Sequence, residues 1–139
     1  MVKIRQMEQI IQQKHTYNEL FSEIENYSFH ISTDPLIRYL RDRRLNISLS
    51  YLQKIYGNKI TGFSVLIVCG GVGGEAIFFK RNNFNNVLNS DLSDEAAITS
   101  KTLDKTLHTD IVNAENLPYN NNSFDIVIVQ DGLHHLPRR

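Results

Sequence analysis

The chain has 139 residues, of which 41% are apolar and 22% are charged, and its 15 Lys and Arg residues balance its 15 Asp and Glu residues. One globular domain of ordinary composition is expected, and the lack of a global basic field argues against nucleic acid as a partner. There is one cysteine, no apolar run of about 18 residues, and no apolar core of a signal peptide. The sequence therefore predicts a cytoplasmic protein with no membrane partner.

The N-terminal region, residues 1–62, is predicted to be helical. Apolar residues recur there at three- and four-residue spacing, which places an apolar stripe on one face of a helix. We interpret this stripe as core contact. Its members are Ile4, Met7, Ile10, Ile11, Tyr17, Leu20, Phe21 and Ile24.

Further helices follow in the same region. Thr33-Asp34-Pro35 predicts a helix start, with a capping side chain followed by proline in the first turn. Residues 48–56 predict another helix, ended by Gly57. A basic stretch between them is interpreted as a solvated helix face rather than a phosphate-binding patch. It consists of Arg38, Arg41, Arg43 and Arg44, offset only by Asp42.

The character of the sequence changes at Phe63. The unbroken apolar run 65–68 predicts a strand buried on both faces of a parallel sheet. Further strands are predicted over 86–91, 108–112 and 124–129, and helices over 76–80 and 93–105. Strands that alternate with helices predict an α/β fold with a parallel sheet.

A glycine-rich loop, Cys-Gly-Gly-Val-Gly-Gly-Glu-Ala at 69–76, joins the first strand to the helix after it. Glycines at this point allow close approach of the backbone to a ligand and aim free N–H groups at it. A tight turn without a ligand would also account for them. Asp91, at the end of the next strand, would lie beside the loop, where a carboxylate can bind the hydroxyls of a ribose. Alternatively, Asp91 is a cap for the helix that starts near Asp94.

The motifs together resemble the class I S-adenosylmethionine-dependent methyltransferases, in particular their small-molecule branch. Residues 65–73 are similar to the first motif of that family and residues 89–93 to its second-strand signature. Residues 113–119 and 123–129 are similar to its third and fourth segments, and residues 133–136 to the paired histidines of many members.

The resemblance implies S-adenosylmethionine as cofactor and a small molecule as methyl acceptor. It implies that Gly71 and Gly73 face the methionine part and that Asp91 binds the ribose. It also implies that Asn113 and Ala114 meet the adenine and that the segment around Gln130 passes the methionine end. The implied cofactor-binding residues are Gly70, Gly71, Val72, Gly73, Asp91, Leu92, Asn113, Ala114 and Gln130.

The sequence departs from the family pattern at three positions. Cys69 stands at the first glycine position and Asn113 replaces the usual aspartate beside the adenine. Ile67 stands where the family often has an acidic residue, whose carboxylate helps to bind the ammonium group of the cofactor. The resemblance assigns no catalytic residue.

The paired histidines, His134 and His135, invite a metal or catalytic assignment. Adjacent side chains diverge on a helix or strand, so a two-histidine metal site is not expected without distant ligands. One of the two as a general base is an alternative, but we favour a structural or substrate-lining role.

The resemblance covers residues 63–139 and supplies four of the seven strands of the family fold, whose spatial order is 3-2-1-4-5-7-6. We therefore expect a helical region at 1–62 and a Rossmann-like cofactor-binding half-domain at 63–139, as in a truncated methyltransferase. The fourth strand would then be an apolar edge that favours self-association or a partner.

Two other classes of function fit parts of the sequence. Residues 71–76 also match the dinucleotide-binding pattern, and residues 70–75 look like the ATP loop of ubiquitin-activating-type adenylating enzymes. The segment 117–125 is not expected in either class. A non-catalytic cofactor-binding or interaction module is the third alternative.

Overall fold

The structure is a computed structural model that describes residues 2–136, so residue 1 and residues 137–139 of the two predicted regions lie outside it. The N-terminal region forms three helices, α1 (Val2–Ser22), α2 (Ile24–Ile31) and α3 (Pro35–Tyr56), and a 3₁₀ turn (Gly57–Gly62). No helix in the described part of the chain has both the length and the apolar character needed to cross a membrane.

The α/β region alternates strands and helices as the sequence predicted. It consists of β1 (Ser64–Val68), α4 (Gly74–Arg81), β2 (Asn86–Asp91), α5 (Asp94–Leu103), β3 (His108–Ile111) and β4 (Ile126–Ile128), followed by a 3₁₀ turn (Leu133–His135). All four strands are parallel, in the order β3-β2-β1-β4. The predicted Rossmann-like fold class is confirmed.

The start of α3 follows from local chemistry. The carboxylate of Asp34 accepts hydrogen bonds from the backbone N–H groups of Leu36 and Ile37, and Pro35 begins the helix without losing a hydrogen bond. The two helices expected in this part of the chain are one continuous helix. It ends at Gly57, whose φ of +61° favours glycine.

The basic stretch on α3 is not simply a solvated face. The side chain of Arg41 is only 8% exposed; its Nε donates to Asp42 and its Nη1 donates to the carbonyl of His30 at 2.6 Å. Arg44 pairs with Asp131, a partner distant in sequence. Arg44 stays 65% exposed although it is paired, so the prediction of a solvated face was wrong for Arg41 but not for Arg44.

The core lies between the sheet and the helices α3 and α4. The middle strand supplies Val65 and Ile67, which are buried. Phe79 and Phe84 pack edge to face with ring centroids 5.0 Å apart, and α3 adds Leu49. Burial on both faces explains why β1 is an unbroken apolar run.

The apolar stripe on α1 is not core contact along its length, which corrects the sequence prediction. Ile4, Met7 and Ile11 are each more than 60% exposed. The face of α1 that packs on α5 carries polar residues, among them Lys14 and Asn18, which bond to Asp94 and Ser93. These contacts set the rotation of α1, and no element in the described part of the chain covers the outer half of the stripe.

β4 is shorter than predicted, three residues instead of six. It pairs with β1 only from Ile126 to Ile128. Just before it, the carboxylate of Asp125 accepts hydrogen bonds from the backbone N–H and the hydroxyl of Ser64. The backbone N–H of Asp125 donates to the carbonyl of Ser64 at 3.1 Å, so side-chain and backbone bonds together close this end.

Candidate functional site

The carboxyl ends of β1, β2 and β4 open on one cavity of about 280 Å³. Parallel strands bring their carboxyl ends to the same edge of a sheet, and the crevice outside that edge is where open α/β folds bind ligands. The floor of the cavity is the glycine loop, and α1 covers it from the other side.

The glycine loop is fixed by backbone hydrogen bonds. The N–H of Gly70 donates to the carbonyl of Ser90 at 2.9 Å, and the N–H of Gly73 donates to the carbonyl of Gly70 at 2.9 Å. Cys69, Gly71 and Gly73 all have positive φ, at +55°, +49° and +86°. The chain therefore turns sharply between β1 and α4, and Cys69 occupies a conformation that is strained for a residue with a Cβ.

Asp91 ties the loop to the next strand. Its Oδ2 accepts the N–H of Gly71 at 2.8 Å and its Oδ1 accepts the N–H of Ser93 at 3.0 Å. Burial raises the pKa of Asp91, and these two N–H groups oppose the shift. Ser93, not Asp91, caps α5, by accepting the N–H of Ala96. A carboxylate has about four acceptor positions, so Asp91 keeps acceptor capacity toward the cavity that it lines.

The end of the cavity beside β3 is mainly apolar. Leu92, Val112 and Ala114 line it together with Asn113. The side chain of Asn113 accepts the N–H of Glu115 at 3.0 Å, which forms a local turn. This end of the cavity offers aliphatic contacts and one side-chain amide.

The segment after Asn113 is attached to the sheet by Tyr119. Its hydroxyl donates to Asp110 at 2.8 Å, and its ring packs edge to face against Phe124. Burial and the bond to Asp110 raise the pKa of Tyr119. The family-like residues 117–125 thus position the segment rather than line the cavity.

The opposite end of the cavity is polar. Glu75, in the first turn of α4, is 9% exposed, and its Oε1 accepts a long hydrogen bond, 3.4 Å, from the amide of Gln130. Burial raises the pKa of Glu75. Asp131, next to Gln130, pairs with Arg44.

Eight of the nine predicted cofactor residues, drawn from four separate segments, line this one cavity: Gly70, Gly71, Val72, Asp91, Leu92, Asn113, Ala114 and Gln130. Gly73 does not line it. Gly73 is the N-cap residue of α4, and a Cβ added there would meet Leu107 and Ser100 on the side away from the cavity.

Several lining residues escaped the sequence analysis because they belong to the N-terminal helices. Tyr17 and Phe21 of α1 lie over the loop; a Cβ added at Gly71 would lie 3.0 Å from the Phe21 ring. Gln13 also lines the cavity and donates to the carbonyl of His135. Tyr17 and Phe21 belong to the apolar stripe, which the sequence assigned to the core, and no pattern in the sequence marked Gln13 as a site residue.

The two histidines lie together at the rim of the cavity. The rings of His134 and His135 have centroids 3.7 Å apart, so the expectation that the two side chains diverge was wrong. Tyr17 packs edge to face on His135 at 5.2 Å. Burial and the neighbouring His134 lower the pKa of His135. Residues 2–136 contain no cluster of three or more side chains suited to binding a metal ion.

Comparison with known proteins gives the family. The model of a family described as "Methyltransferase domain" matches residues 66–139, more than half of the chain. The chain belongs to this methyltransferase family. The resemblance to class I methyltransferases that the motifs indicated is thereby confirmed, and no curated protein matches the sequence.

Three solved structures show the same fold as this methyltransferase domain. The PH0226 protein from Pyrococcus horikoshii OT3 is 23% identical, with a TM-score of 0.52, over 69% of this chain and 42% of that protein. The YcgJ protein from Bacillus subtilis is 19% identical, with a TM-score of 0.54, over 67% and 41%. The plantazolicin methyltransferase BpumL, in complex with a monoazolic desmethylPZN analog and SAH, is 17% identical, with a TM-score of 0.55, over 93% and 50%.

The chain spans half or less of the length of each of these proteins. At identities below 25%, the likeness concerns the fold, and it includes the N-terminal helices in the case of BpumL, because 93% of this chain is covered.

Proposed function

We propose that the methyltransferase domain binds S-adenosylmethionine in the cavity at the carboxyl ends of β1 and β2 and serves methyl transfer to a small molecule. The observation that carries the proposal is the convergence of four family-like segments on one cavity. In this proposal, residues 63–139 bind the cofactor and the helices within residues 1–62 cover it.

The lining residues match the chemical parts of the cofactor. Asp91 has acceptor capacity for the ribose hydroxyls, and Leu92 and Ala114 offer apolar contact to an adenine ring. The N–H of Gly71 is already donated to Asp91, so the loop contributes mainly close backbone approach and a fixed position for that carboxylate.

When bound, S-adenosylmethionine supplies an activated methyl group. The protein then has to align the acceptor with that group and exclude water, and it needs no base if the acceptor is a good nucleophile. The cover formed by Tyr17 and Phe21 excludes water from above the loop. His135, whose pKa is lowered, is mostly neutral at pH 7 and can accept a proton or a hydrogen bond at the rim.

A small acceptor is supported by one solved structure that shares the fold. The cavity of about 280 Å³ is assigned to the cofactor in this proposal, so its volume does not set the size of the acceptor. The BpumL complex, which shares the fold, holds a desmethylPZN analog beside SAH. We therefore infer an acceptor that enters at the rim formed by α1 and the two histidines.

Calorimetric titration of the chain with S-adenosylhomocysteine, NAD and ATP tests the choice of cofactor. We expect binding of S-adenosylhomocysteine only. Binding of NAD or ATP without S-adenosylhomocysteine would favour a dinucleotide or adenylating function, and binding of none of the three would favour a module that does not bind these nucleotides.

The variant Asp91→Ala tests the assignment of the ribose site. We expect a loss of about 1.5–3 kcal/mol in binding of S-adenosylhomocysteine, because a buried charged acceptor is removed. Asp104→Ala is the matched control: Asp104 lies outside the cavity and pairs with Lys80, away from α1, so affinity should stay unchanged. Equal affinity of the Asp91 variant and the wild type would show that Asp91 only shapes the loop.

A further inference from the structure

One cavity residue has chemistry that the proposed cofactor contacts do not use. Among the described residues, three carboxylates line the cavity: Glu75, Asp91 and Asp131. Asp91 accepts two backbone N–H groups, and Asp131 pairs with Arg44 and is largely exposed. Glu75 differs from both because it is nearly buried.

Glu75 has no ion-pair partner among the described side chains. The buried Arg41 attracts the Glu75 carboxylate electrostatically, but its donors are directed to Asp42 and to the carbonyl of His30. The long hydrogen bond from Gln130 is the side-chain contact that Glu75 receives. The carboxylate also accepts the backbone N–H of Glu75 itself, but burial outweighs these contributions and disfavours its charge. A ligand that supplies positive charge would therefore stabilise it.

The position of Glu75 within the cavity indicates which part of a ligand it meets. Asp91 and Ala114 lie toward β2 and β3, whereas Glu75 and Gln130 lie across the glycine loop, toward α4 and the end of β4. A ligand whose ribose is at Asp91 and whose base is at Ala114 therefore extends its third part toward Glu75. In S-adenosylmethionine that part is an amino acid with a cationic α-ammonium group.

No carboxylate on β1 is available for this group. Ile67 is 1% exposed and packs in the core, and the left-handed residue Cys69 ends the strand. Glu75 reaches the same cavity from the helix that follows the loop.

We propose that Glu75 is the anionic ligand of the α-ammonium group of the cofactor. This inference rests on the proposed function, because it assumes that the cavity binds S-adenosylmethionine. Burial keeps the pKa of Glu75 raised in the empty site, and an ammonium group beside it would favour the charged carboxylate.

The test compares two ligands that differ in the amino-acid part. S-adenosylhomocysteine carries the ammonium group and 5′-methylthioadenosine lacks it. Calorimetry on Glu75→Gln should show binding of S-adenosylhomocysteine weakened about 10- to 100-fold, the factor expected for a charged hydrogen bond. Binding of 5′-methylthioadenosine should change less than about 3-fold, because an adenosyl ligand without the amino acid does not reach Glu75. The matched control Glu8→Gln, at an exposed position on α1, should leave both affinities unchanged.

A second variant, Glu75→Asp, keeps the charge and is used for the same test if Glu75→Gln does not fold. It should show a smaller loss that is again confined to S-adenosylhomocysteine. Unchanged binding of S-adenosylhomocysteine in either variant, or an equal loss of both ligands, would overturn the inference and leave the proposed function intact. Failure of the wild type to bind either ligand would instead refute the proposed function and this inference with it.

Discussion

A single buried amide supports the glycine loop from below. Asn89 is fully buried, and its Nδ2 donates to the carbonyl of Gly71 at 3.1 Å and to the hydroxyl of Thr109 at 3.3 Å. Its Oδ1 has no hydrogen-bond donor among the described residues and lies against Gly70, where an added Cβ would overlap it. Gly70 is therefore required by close packing and not by its backbone angle.

This packing predicts the effect of Gly70→Ala. The new methyl group would displace the Asn89 side chain and contact Ile67, so we expect a loss of about 1–3 kcal/mol in the free energy of unfolding. Gly62→Ala is the matched control, since nothing lies within 4 Å of its added Cβ; it should be neutral or slightly stabilising. Urea unfolding of the two variants measures both effects, and equal midpoints would contradict this account of Gly70.

The buried carboxyl of Glu75 is expected to make the free energy of unfolding depend on pH. Burial raises its pKa in the folded chain above the ordinary value of 4.5, so the folded state binds more protons than the unfolded state in this range. The free energy of unfolding should therefore fall as pH rises from about 4.5 through the raised pKa. Glu75→Gln lacks this contribution. Asp104 and Asp125 have lowered pKa values in the folded chain. Their contribution to the free energy of unfolding is therefore lost as pH falls below about 3.8, which is outside this range.

Urea unfolding at pH values from 4 to 7 checks this prediction. The difference in the free energy of unfolding between wild type and Glu75→Gln reports on Glu75 alone. The pKa of Asp91 is also raised, but Asp91 is present in both proteins, so its contribution cancels. We expect the wild type to lose stability relative to the variant across this range. A difference that does not vary with pH would mean that Glu75 titrates normally.

At the scale of elements, α1 is a cover attached by polar contacts. Lys14 pairs with Asp94 at 2.8 Å, the side chain of Asn18 accepts the hydroxyl of Ser93 at 2.7 Å, and Gln13 donates to the carbonyl of His135 at 2.9 Å. These contacts join α1 to the start of α5 and to the turn after β4, on both sides of the cavity. Polar attachment of this kind is weaker than a fully apolar interface, so α1 is expected to open more easily than the sheet.

The variant Asn18→Ala tests the attachment of α1. It removes the acceptor for the buried hydroxyl of Ser93, and the free energy of opening α1 should fall by about 1 kcal/mol. Amide hydrogen exchange over Val2–Ser22 measures this, with Gln12→Ala, at an exposed position on the same helix, as control. If exchange in α1 is unchanged in Asn18→Ala, the apolar contacts alone attach the helix.

At the scale of the whole molecule, the sheet has an apolar edge. β4 pairs with β1 on one side, and within the described residues no strand pairs with its other side. Val127 is 57% exposed there. Open edges with apolar neighbours favour pairing between chains.

We therefore predict self-association through β4. Sedimentation velocity of the wild type should show a sedimentation coefficient that rises with concentration, and Val127→Lys should reduce this rise because it places a charge on the edge. Ile98→Lys, which changes an exposed residue of α5, should have no such effect. A compact monomer at all concentrations would contradict the prediction.

Most of the α/β region could be predicted from the sequence because its signals are local. The apolar run 65–68, the glycines after it and the position of Asp91 at the end of β2 depend on short-range periodicity and turn chemistry, and the predicted bounds of β2 equal the observed ones. The parallel order of the strands follows from the alternation with helices. The family resemblance supplied the other cofactor candidates, such as Asn113, Ala114 and Gln130, and the fold brings eight of the nine to one edge of the sheet.

Only the tertiary structure decided how the helices face the site. The rotation of α1, which leaves Met7 exposed and places Phe21 over Gly71, depends on contacts with residues more than 70 positions away, such as that between Asn18 and Ser93. The directions of two residues at the start of α4 were also decided by tertiary contacts. Gly73 faces Leu107 rather than the cavity, whereas Glu75 faces the cavity. Periodicity shows that a helix has an apolar face, but the choice of its contact face is a competition among long-range contacts, which are defined only once the chain has folded.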